Sequence, residues 1–382
     1  MPFIHPLLTL AGFASLALAA SYGVLTVVAV LVWRAKRGPQ RLRSLPPVTM
    51  LKPLCGAEPG LYEHLRSFCR QDYPEFQILF GVREPGDPAC AVVKRLAAEF
   101  PWLPIGLVIN PQLHGNNLKI SNLINMLPAA RHDVLAIADS DAFVAPDYLN
   151  SVTAPLLEPG VGLVTCLYRG TPTPKMWSRL GAMYINEWYV PSVILAWMFG
   201  HEGYVSGQTV CVRRKTLGAI GGLQSLADYL ADDHRLGELV RGAGLRVVLS
   251  HYVVRGEHHE PSFESLARHE LRWMRTIRVL RPRSFVFIFI TFSVPLAVFG
   301  IALALPKSWA AWMLFGATLM ARLVLYFVYR RGDRAPLADL WLLPVRDLLI
   351  CWMWWRSFFT SRVTWRGNEF DVDANGVMRP LS

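Results

Sequence analysis

Three kinds of hydrophobic pattern follow one another along the 382 residues of the chain. The stretch from Leu7 to Trp33 is almost uninterruptedly apolar, residues 48 to 255 alternate short apolar runs with amphipathic stretches, and long apolar stretches return from Phe285. At about 1.5 Å per helical residue, the first stretch can cross about 30 Å of hydrocarbon. The pattern predicts a membrane anchor, then an aqueous domain, then a second group of membrane helices.

The central region alternates predicted strands with predicted helices. Apolar runs of strand length occupy Val48–Pro53, Phe76–Val82, Ile105–Ile109 and the run that begins at Val134, and helical stretches occupy Leu61–Cys69, Ala89–Phe100 and Ile120–Leu127. Strands that alternate with helices are typical of a mostly parallel sheet with helices on both faces. The sequence therefore predicts one α/β domain of about two hundred residues, within the usual size range of a domain.

The C-terminal third combines a basic amphipathic stretch with apolar stretches. Phe263–Leu280 carries arginines among apolar residues, which is typical of a helix that lies on a membrane. Phe285–Leu305 and Trp309–Val328 are two candidate spans joined by a short loop, and Tyr329-Arg330-Arg331 marks the return to the cytoplasm. Leu337–Phe359 is apolar but contains charged residues, so spanning, re-entering and lying flat all stay open.

A dense group of aromatic residues interrupts the pattern of the α/β domain. It runs from Trp177 to Phe199 and includes few charged residues. Such a density favours the bilayer interface, and a large buried pair of helices explains it equally well.

Charge predicts on which side of the membrane the central domain lies. The chain has a formal net charge of +11, and its Lys and Arg residues cluster beside the apolar stretches rather than along one groove. This distribution favours an anionic membrane surface over nucleic acid as the partner. Arg34, Lys36, Arg37, Arg41 and Arg43 follow the first apolar stretch, so the positive-inside tendency predicts a cytoplasmic central domain and an N-terminus outside.

Two further features bear on the compartment. Ala17-Leu18-Ala19-Ala20 resembles a signal-peptide cleavage site, but no basic residue precedes the apolar core, and the apolar run continues well beyond that site. We therefore expect an uncleaved anchor, with a cleaved signal peptide as the alternative. The six cysteines are scattered without a CxxC motif, which predicts neither a zinc site nor a disulfide framework and favours reduced thiols in the cytosol.

Two carboxylates stand at the end of one continuous apolar run. The run from Val134 to Ala138 leads directly into Asp139-Ser140-Asp141. In an open α/β sheet, ligands bind at the carboxyl ends of the strands, and residues two apart on an extended chain point to the same side. Two such carboxylates can share a divalent cation, and Mg²⁺ prefers one or two carboxylates plus phosphate oxygens. The motif predicts a nucleotide-diphosphate site, and a solvated strand end is the alternative.

Three other polar motifs are candidates for the same site. Asp87 follows the strand Phe76–Val82, Asp232-Asp233 stands at a predicted helix start, and His269-Glu270-Leu271-Arg272-Trp273 lies in the basic amphipathic stretch. A glycine-rich segment around Gly207 permits close approach of the backbone to a ligand. Taken singly, the three polar motifs also fit a turn residue, a helix cap and a membrane-facing pair.

In this order the motifs resemble the D, D, D, (Q/R)xxRW series of family 2-like glycosyltransferases. Four more segments are similar to the ceramide glucosyltransferase family, family 21: Leu51-Lys52-Pro53-Leu54-Cys55-Gly56, Asp72-Tyr73-Pro74, Gly86-Asp87-Pro88-Ala89 and Lys119-Ile120-Ser121-Asn122-Leu123. That family includes bacterial lipid glycosyltransferases that act on sphingolipids and, in close relatives, on hopanoids. The resemblance covers roughly residues 45 to 280. It implies a GT-A-type α/β nucleotide-sugar domain with α-helical transmembrane segments at both ends, in a multi-pass protein of a bacterial-type inner or plasma membrane.

The resemblance implies a role for each matching residue of the central domain. Asp87 would contact the uracil or ribose of a UDP-sugar, and Lys119 would help to hold this donor. Asp139 would support the nucleotide and, with Asp141 as its partner, ligate Mg²⁺ or Mn²⁺. Asp233 would be the catalytic base.

On the other side of the site, the resemblance assigns Arg272 and Trp273 to the diphosphate and the acceptor end. His269 stands where the family has Gln or Arg at the head of (Q/R)xxRW, which weakens the diphosphate contact expected there. His258 and His259 either complete a metal site or are loop residues.

Two points stay open within this assignment. The animal ceramide enzymes have glycine at the position of Asp141, so the resemblance leaves open whether this residue ligates the metal. The residues without a definite role, which include candidates for the acceptor side, are Asp232, Gly207, His269 and His258.

The chemistry of sugar transfer agrees with these roles. Direct displacement at an anomeric carbon needs a carboxylate to take the acceptor's proton, and a cation and an arginine to stabilise the departing diphosphate. We therefore expect inverting transfer from an α-linked UDP-sugar of the glucose or N-acetylglucosamine class to the hydroxyl of a membrane lipid. Ceramide and a hopanoid polyol both suit this acceptor role, and the product would be a β-glycolipid.

Three alternatives remain. A polyprenyl-phosphate sugar transferase differs only in its acceptor, and a polysaccharide synthase would normally need more spanning helices and an intact QxxRW. The non-enzymatic alternative is a membrane lipid-binding scaffold with a degenerate transferase domain.

The expected domains are an anchor with its basic flank (1–44), a cytoplasmic GT-A-like catalytic domain (45–262), an interfacial amphipathic helix (263–283), C-terminal membrane helices (284–360) and a cytoplasmic tail (361–382).

Overall fold

The structure is a computed structural model that describes residues 4–36, 45–201, 203–304, 308–329, 337–360, 362–365 and 368–380. By its internal contacts the chain divides into two compact units. The helical unit comprises Met1–Lys36, Pro172–Gly200 and His258–Gly367, and the sheet unit comprises Arg37–Thr171, His201–Glu257 and Asn368–Ser382. The basic residues predicted to mark the cytoplasmic side at Arg37, Arg41, Arg43, Arg330 and Arg331 lie outside the described residues.

One eight-stranded sheet forms the centre of the sheet unit. Its strands are β1 (Val48–Pro53), β2 (Phe76–Val82), β3 (Ile105–Ile109), β4 (Val134–Ile137), β5 (Ala142–Phe143), β6 (Val161–Pro172), β7 (Val210–Arg213) and β8 (Arg246–His258). They lie in the order β3-β2-β1-β4-β7-β6-β8-β5. The first four of this order pair in parallel, whereas β7 is antiparallel to β4 and β6, and β5 is antiparallel to β8.

Three of the four parallel strands, β1, β2 and β4, are buried on both faces, whereas β3 at the edge of the sheet is only half-buried. Along β4, Val134, Leu135, Ala136 and Ile137 are each at most 4% exposed. Such burial explains why these strands consist of continuous apolar runs rather than alternating ones. The predicted α/β fold with a mixed, mostly parallel sheet is confirmed.

Register brings the carboxyl ends of the parallel strands to one edge. Leu51 of β1 pairs with Leu79 of β2 on one side and with Ile137 of β4 on the other. The residues that follow these strands, among them Asp87 and Asp139, therefore leave the sheet at the same edge, where ligands bind in open α/β sheets.

Fourteen α-helices are described. They are α1 (Ile4–Ala35), α2 (Leu61–Cys69), α3 (Ala89–Glu99), α4 (Leu118–Met126), α5 (Tyr148–Thr153), α6 (Met176–Tyr184), α7 (Val190–Met198), α8 (Arg214–Ala219), α9 (Asp232–Gly242), α10 (Phe263–Leu280), α11 (Pro282–Val286), α12 (Ser293–Ala304), α13 (Trp309–Tyr329) and α14 (Leu342–Arg356). A π-helical turn, Ile185–Tyr189, joins α6 to α7. Three short strands end the chain: β9 (Val363–Trp365), β10 (Asn368–Val372) and β11 (Met378–Pro380), and β10 pairs antiparallel with β11.

Two helices of the helical unit are long and apolar enough to cross a membrane: His5–Ala35 of α1 and Trp309–Val328 of α13. The predicted continuous span Phe285–Leu305 is instead broken, because Pro282–Thr291 and Ser293–Ala304 meet at a bend of 71°. Pro295, near the start of α12, lacks the amide proton that would continue the preceding turn. These two or three apolar elements indicate association with a membrane.

The anchor helix α1 packs closely against α12. A Cβ atom on Gly12 would lie 2.5 Å from the backbone nitrogen of Ala304, and one on Gly300 would lie 2.8 Å from Cγ of Leu16. Small residues at such positions let two helix backbones approach, as in membrane helix pairs. The aromatic stretch predicted between Trp177 and Phe199 lies in this same unit as α6, the π turn and α7.

The basic amphipathic stretch forms one helix, α10, with the predicted bounds. Its buried residues Leu266, Glu270 and Met274 recur every four positions and face the rest of the helical unit. Contact of α10 with a membrane surface and the five domain boundaries given above stay predictions.

Candidate active site

Three segments that are distant in sequence meet around Gly207 in the sheet unit. A Cβ atom on Gly207 would lie 3.1 Å from Oδ2 of Asp139, 3.1 Å from Nζ of Lys119 and 3.8 Å from Oδ2 of Asp233. The backbone N–H of Gly207 donates to Oδ2 of Asp233 at 3.0 Å. Because Gly207 has no side chain, its backbone can contact the charged groups directly. The sequence analysis predicted such a close approach for this glycine.

Lys119 joins the carboxylates to one another. Its Nζ lies 2.6 Å from Oδ1 of Asp139 and 3.8 Å from Oδ2 of Asp232. The lysine stands in the first turn of α4, where Oδ1 of Asn117 caps the helix by accepting from the N–H of Ile120 at 3.0 Å. We refer to Lys119, Asp139, Asp141, Asp232 and Asp233 as the carboxylate cluster.

The start of α9 positions the two carboxylates of Asp232 and Asp233. Oδ1 of Asp233 accepts from the N–H of His234 at 2.7 Å, and Asn117 donates to Oδ1 of Asp232 at 3.3 Å. The partial positive charge of a helix N-terminus favours carboxylates at this place. Asp232 and Asp233 therefore serve both to start the helix and to supply charge to the cluster.

Two carboxyl groups of the cluster hold their protons more tightly than ordinary aspartates do. Burial, reinforced by the neighbouring charge of Asp232, raises the pKa of Asp233 to about 6. Burial, reinforced by Asp139, likewise raises the pKa of Asp141 to about 6. Burial opposes the charge of Lys119, but Asp139 and Asp232 outweigh it and raise the lysine's pKa. Displaced pKa values of this kind are typical of functional sites.

Two residues that the sequence did not single out hold the segment after β4. Nζ of Lys52 donates to the carbonyl oxygen of Asp139 and lies 3.6 Å from the ring centroid of Phe68. Lys52 is 0% exposed, and burial lowers its pKa to about 7. Nε2 of Gln208 donates to Oδ1 of Asp141 at 3.1 Å. In the sequence, Lys52 could have been recognised as a lysine at the end of an apolar strand. Gln208 could have been recognised as the neighbour of Gly207.

Asp139 and Asp141 have the chemistry of a divalent-cation site. Carboxylate oxygens are the ligands that Mg²⁺ and Mn²⁺ prefer. Repulsion between the two carboxylates contributes to the raised pKa of Asp141, and a bound cation would relieve this repulsion. The two residues therefore fit the predicted metal, although Asp139 is paired with Lys119 in this structure.

Asp87 binds backbone groups. Its carboxylate oxygens accept from the N–H of Gly56 at 3.1 and 3.0 Å, and Oδ1 accepts from the N–H of Ala89 at 2.8 Å. It thereby ties the loop after β1 to the start of α3, at the same edge of the sheet as the cluster. The predicted contact with the uracil or ribose stays a prediction.

The helical unit brings His258, His269 and Trp273 together. The ring centroids of His269 and Trp273 are 4.2 Å apart, and that of His258 lies 5.7 Å from His269 and 6.0 Å from Trp273. Trp273 also stacks on Tyr184, with ring centroids 5.4 Å apart. Trp273 is thus fixed among rings, and Arg272 follows His269 on the same half-buried part of α10. The roles assigned to Arg272 and Trp273 stay predictions.

One group of side chains in the helical unit could also hold a metal ion. Ligand atoms of His258, Glu260 and His269 all lie within 4.8 Å of one another, and His269 Nδ1 lies 2.8 Å from Oε1 of Glu260. Burial lowers the pKa of His258 to about 4, so that its ring is neutral, as a ligand must be. His259 is exposed and is not in this group.

Gly207→Val tests whether the geometry around Gly207 matters for turnover. The added side chain would displace the tips of Lys119 and Asp139, which stand 3.1 Å from its Cβ atom. Misplacement of about 1 Å in a catalytic site commonly costs about 100-fold in rate, so we expect kcat/KM to fall by at least about that factor. The matched control is Gly242→Val on α9, where an added Cβ meets nothing within 4 Å. Equal activities of the two variants would contradict the assignment.

A family model described as Glycosyl transferase family 21 matches residues 13–378. Ceramide glucosyltransferase 3 of Caenorhabditis elegans is 23% identical over 355 residues, which cover 88% of this chain and 75% of that protein. The ceramide glucosyltransferase of Candida albicans is 30% identical over 118 residues, 28% of this chain and 22% of that protein. A solved structure, the mannosyltransferase PcManGT from Pyrobaculum calidifontis in complex with GDP-Man and Mn²⁺, has a TM-score of 0.53 at 22% identity and covers 89% of this chain and 99% of that one. This likeness identifies the fold as the GT-A type.

Proposed function

The chain belongs to glycosyl transferase family 21, and from that premise we propose that it transfers a sugar from a UDP-sugar to a hydroxyl group of a membrane lipid, with inversion. The observation that carries the proposal is the meeting of Lys119, Asp139 and Asp233 around Gly207, at the ligand-binding edge of the sheet. This arrangement offers a proton acceptor, a cation and metal-binding carboxylates in one place, which is what displacement of a diphosphate requires.

Asp233 is the proposed base. Its Oδ2 is held by the N–H of Gly207 and its Oδ1 by the N–H of His234, so the carboxylate is fixed in position. With a pKa of about 6 it is a stronger proton acceptor than an ordinary aspartate and is still ionised at neutral pH. Removal of the acceptor's proton makes the oxygen nucleophilic, and direct attack on the anomeric carbon then inverts an α-linked donor to a β-glycoside. No covalent enzyme intermediate is needed.

On the donor side, Asp139 and Asp141 would hold Mg²⁺ or Mn²⁺, and Asp87 the uridine. A bound divalent cation would supply charge stabilisation for the departing diphosphate. Lys119 orients Asp139 and contributes positive charge beside the same phosphates. Arg272 is the proposed second cation, because an arginine binds two phosphate oxygens at once.

The proposed acceptor is a lipid, because the chain combines a sugar-transfer fold with two or three apolar helices in the part that the structure describes. The C. elegans and C. albicans relatives are ceramide glucosyltransferases by name. We take ceramide as the first acceptor to test and a hopanoid polyol as the second. For the donor, the glucose and N-acetylglucosamine forms of UDP-sugar come first.

A direct test measures UDP release by the purified full chain from several UDP-sugars, with and without ceramide. We expect release that depends on both ceramide and Mn²⁺ or Mg²⁺ and that stops when the metal is chelated. Release stimulated by a polyprenyl phosphate but not by ceramide would replace this proposal with the polyprenyl-phosphate alternative. An absence of release with every donor and acceptor would favour the non-enzymatic scaffold.

The pH dependence of turnover follows from the carboxyl groups of the cluster. Asp233 must be ionised to accept a proton, and Asp141 must be ionised to ligate a metal. Since both pKa values are about 6, we expect kcat/KM to rise with pH through about 6 and to level off above 7. The check is a pH–rate profile at saturating Mn²⁺. Activity that increases as pH falls below 6 would contradict the assignment.

We further propose that the sheet unit faces the cytoplasm, where UDP-sugars are made. Cys55 in the loop after β1 is exposed and reduced, so it reports which side this loop occupies. A membrane-impermeant maleimide should label Cys55 in lysed cells but not in intact ones. The matched control is Cys55→Ser, which removes the signal of this site and leaves that of the other cysteines. Labelling of Cys55 in intact cells would reverse the proposed orientation.

A further inference from the structure

A polar recess opens among the apolar helices of the helical unit. It is lined by residues of α1, the π turn, α12, α13 and α14, including Tyr22, Glu187, Ser293, Arg322, Arg346 and Asp347. Its empty space is about 560 Å³, part of it open to the surroundings. Water-sized groups can occupy about 40 Å³ of it, which is room for about three of them, such as the hydroxyl and amide groups of a larger molecule.

The recess lies within the length of the spanning helices rather than at their tips. At about 1.5 Å per residue, Thr26 in its wall is about 14 Å from the end of α1 at Ala35, and Arg322 is about 9 Å from Val328. Ionisable side chains at such depth are costly, and they usually mark a binding site or a transport path.

Every guanidinium group of the recess is already bound to carboxylates. Arg322 donates to Oε2 of Glu187 at 2.9 Å and to both oxygens of Asp347 at 3.1–3.2 Å. Arg346 binds Glu270 through two parallel hydrogen bonds of 2.6 and 2.8 Å, and both side chains are at most 3% exposed. Three carboxylates thus face two guanidinium groups, so the surroundings of the recess carry no surplus positive charge.

Two polar groups of the recess still have hydrogen-bonding capacity. Nε of Arg346 is buried and has no hydrogen-bond partner among the described residues, so it can donate one hydrogen bond. The side chain of Asp347 is 16% exposed, more than that of Arg322 or Glu187. Each carboxylate oxygen has two lone pairs, and Asp347 can therefore accept from a further donor. A fitting ligand presents one acceptor oxygen and at least one O–H or N–H.

From this geometry we propose that the recess binds the polar end of the acceptor lipid, and that it selects an uncharged headgroup with hydroxyl or amide groups. The proposal rests on the proposed function, because it names the binding place and the chemical class of that function's acceptor. A carbonyl or hydroxyl oxygen would accept from Arg346, and a hydroxyl or amide hydrogen would be donated to Asp347. The acyl chains would remain among the surrounding apolar helices.

The charges of the recess disfavour an anionic headgroup. A phosphate would lie beside the carboxylates of Glu187 and Asp347, while both guanidinium groups are already neutralised. A buried charge without a free counter-ion is costly. The recess therefore disfavours phosphate for two reasons: its carboxylates repel the phosphate, and its guanidinium groups are already paired with those carboxylates.

The test measures equilibrium binding of radiolabelled ceramide and of ceramide 1-phosphate to the purified full chain in neutral detergent, without UDP-sugar. We expect ceramide to bind at least tenfold more tightly than its phosphate. Ser293→Trp fills the recess and should weaken ceramide binding at least tenfold. The matched control is Val298→Trp on the same helix, where the side chain is 51% exposed, and it should bind ceramide like the wild type. Ser293→Leu, a smaller change, should give an intermediate loss.

UDP binding separates loss of the recess from loss of the fold. Ser293→Trp and Ser293→Leu should both bind UDP like the wild type. If one of them does not, only the lipid binding of the other is interpreted. Wild-type ceramide affinity in such a variant, or equal affinities for ceramide and its phosphate, would overturn the proposal. Ceramide binding with these preferences but without sugar transfer would instead refute the proposed function and leave the lipid site standing.

Discussion

Asp233→Asn is expected to lower kcat by about 10² to 10⁴-fold, the usual contribution of a positioned base, while the Kd of the UDP-sugar stays within about threefold of the wild type. The amide has the shape of the carboxylate and its oxygen can still accept from Gly207 or His234, but it cannot take a proton. The effect should therefore fall on the chemical step rather than on donor binding. Steady-state kinetics and a separate measurement of UDP binding distinguish the two.

The control for this substitution lies on the same helix. Glu238→Gln removes a carboxylate that is 42% exposed and that pairs with His234 and Arg235 in its own turn, so it should leave kcat unchanged within about a factor of two. If Asp233→Asn retained wild-type turnover, another group would have to be the base. If it lost UDP binding instead, Asp233 would belong to the donor site.

Lys119→Met is expected to abolish measurable donor binding and to destabilise the sheet unit. Methionine keeps the length of the side chain but leaves Asp139, Asp232 and Asp233 without their shared cation. Removing one partner of a buried ion pair costs several kcal/mol, and because Asp139 is 31% exposed we expect about 2 kcal/mol here. Isothermal titration with UDP-sugar and Mn²⁺, together with thermal unfolding, measures both effects.

Lys94→Met is the matched control for the lysine. Lys94 is exposed on α3, and its replacement should change neither UDP binding nor the unfolding temperature beyond small surface effects. Full donor affinity in Lys119→Met would show that the lysine only fills space between the carboxylates. A raised unfolding temperature would contradict its role as their counter-ion.

The sequence predicted the parallel half of the sheet unit almost to the residue, because local pattern and burial agree there. The strands β1, β2 and β3 and the helix α2 have the predicted bounds. Strands buried on both faces appear as continuous apolar runs, and the polar residues that end them stand where ligands bind. The position of Asp139 could therefore be inferred from β4 alone.

The partners of the carboxylates could not be inferred in the same way. Lys52 is buried because Phe68 from α2 and the carbonyl of Asp139 close over it, and both contacts are far away in sequence. Gln208 reaches Asp141 only through the pairing of strands that are likewise far apart in the chain. Long-range contacts of this kind leave no periodicity in the sequence around the residue.

The membrane helices show the same limit of local pattern. Charges within an apolar stretch, such as Arg346 and Asp347, usually face protein or a polar cavity. The sequence does not reveal that Glu270 and Arg322 are their partners. A bent pair of helices and a straight helix can have the same apolar sequence. Hydrophobicity along the chain therefore could not reveal the bend of 71° before α12. Pro295 was an available signal of a break that the predicted span did not take into account.

The most direct test of the account identifies the product. Purified full chain is incubated with UDP-glucose, UDP-N-acetylglucosamine, ceramide and Mn²⁺, the new glycolipid is found by mass spectrometry, and the configuration of its anomeric proton is read by NMR. The account predicts a lipid that gains one sugar in the β configuration and that does not form with Asp233→Asn. An α-linked product, or a sugar found only on a phosphate-bearing lipid, would contradict it.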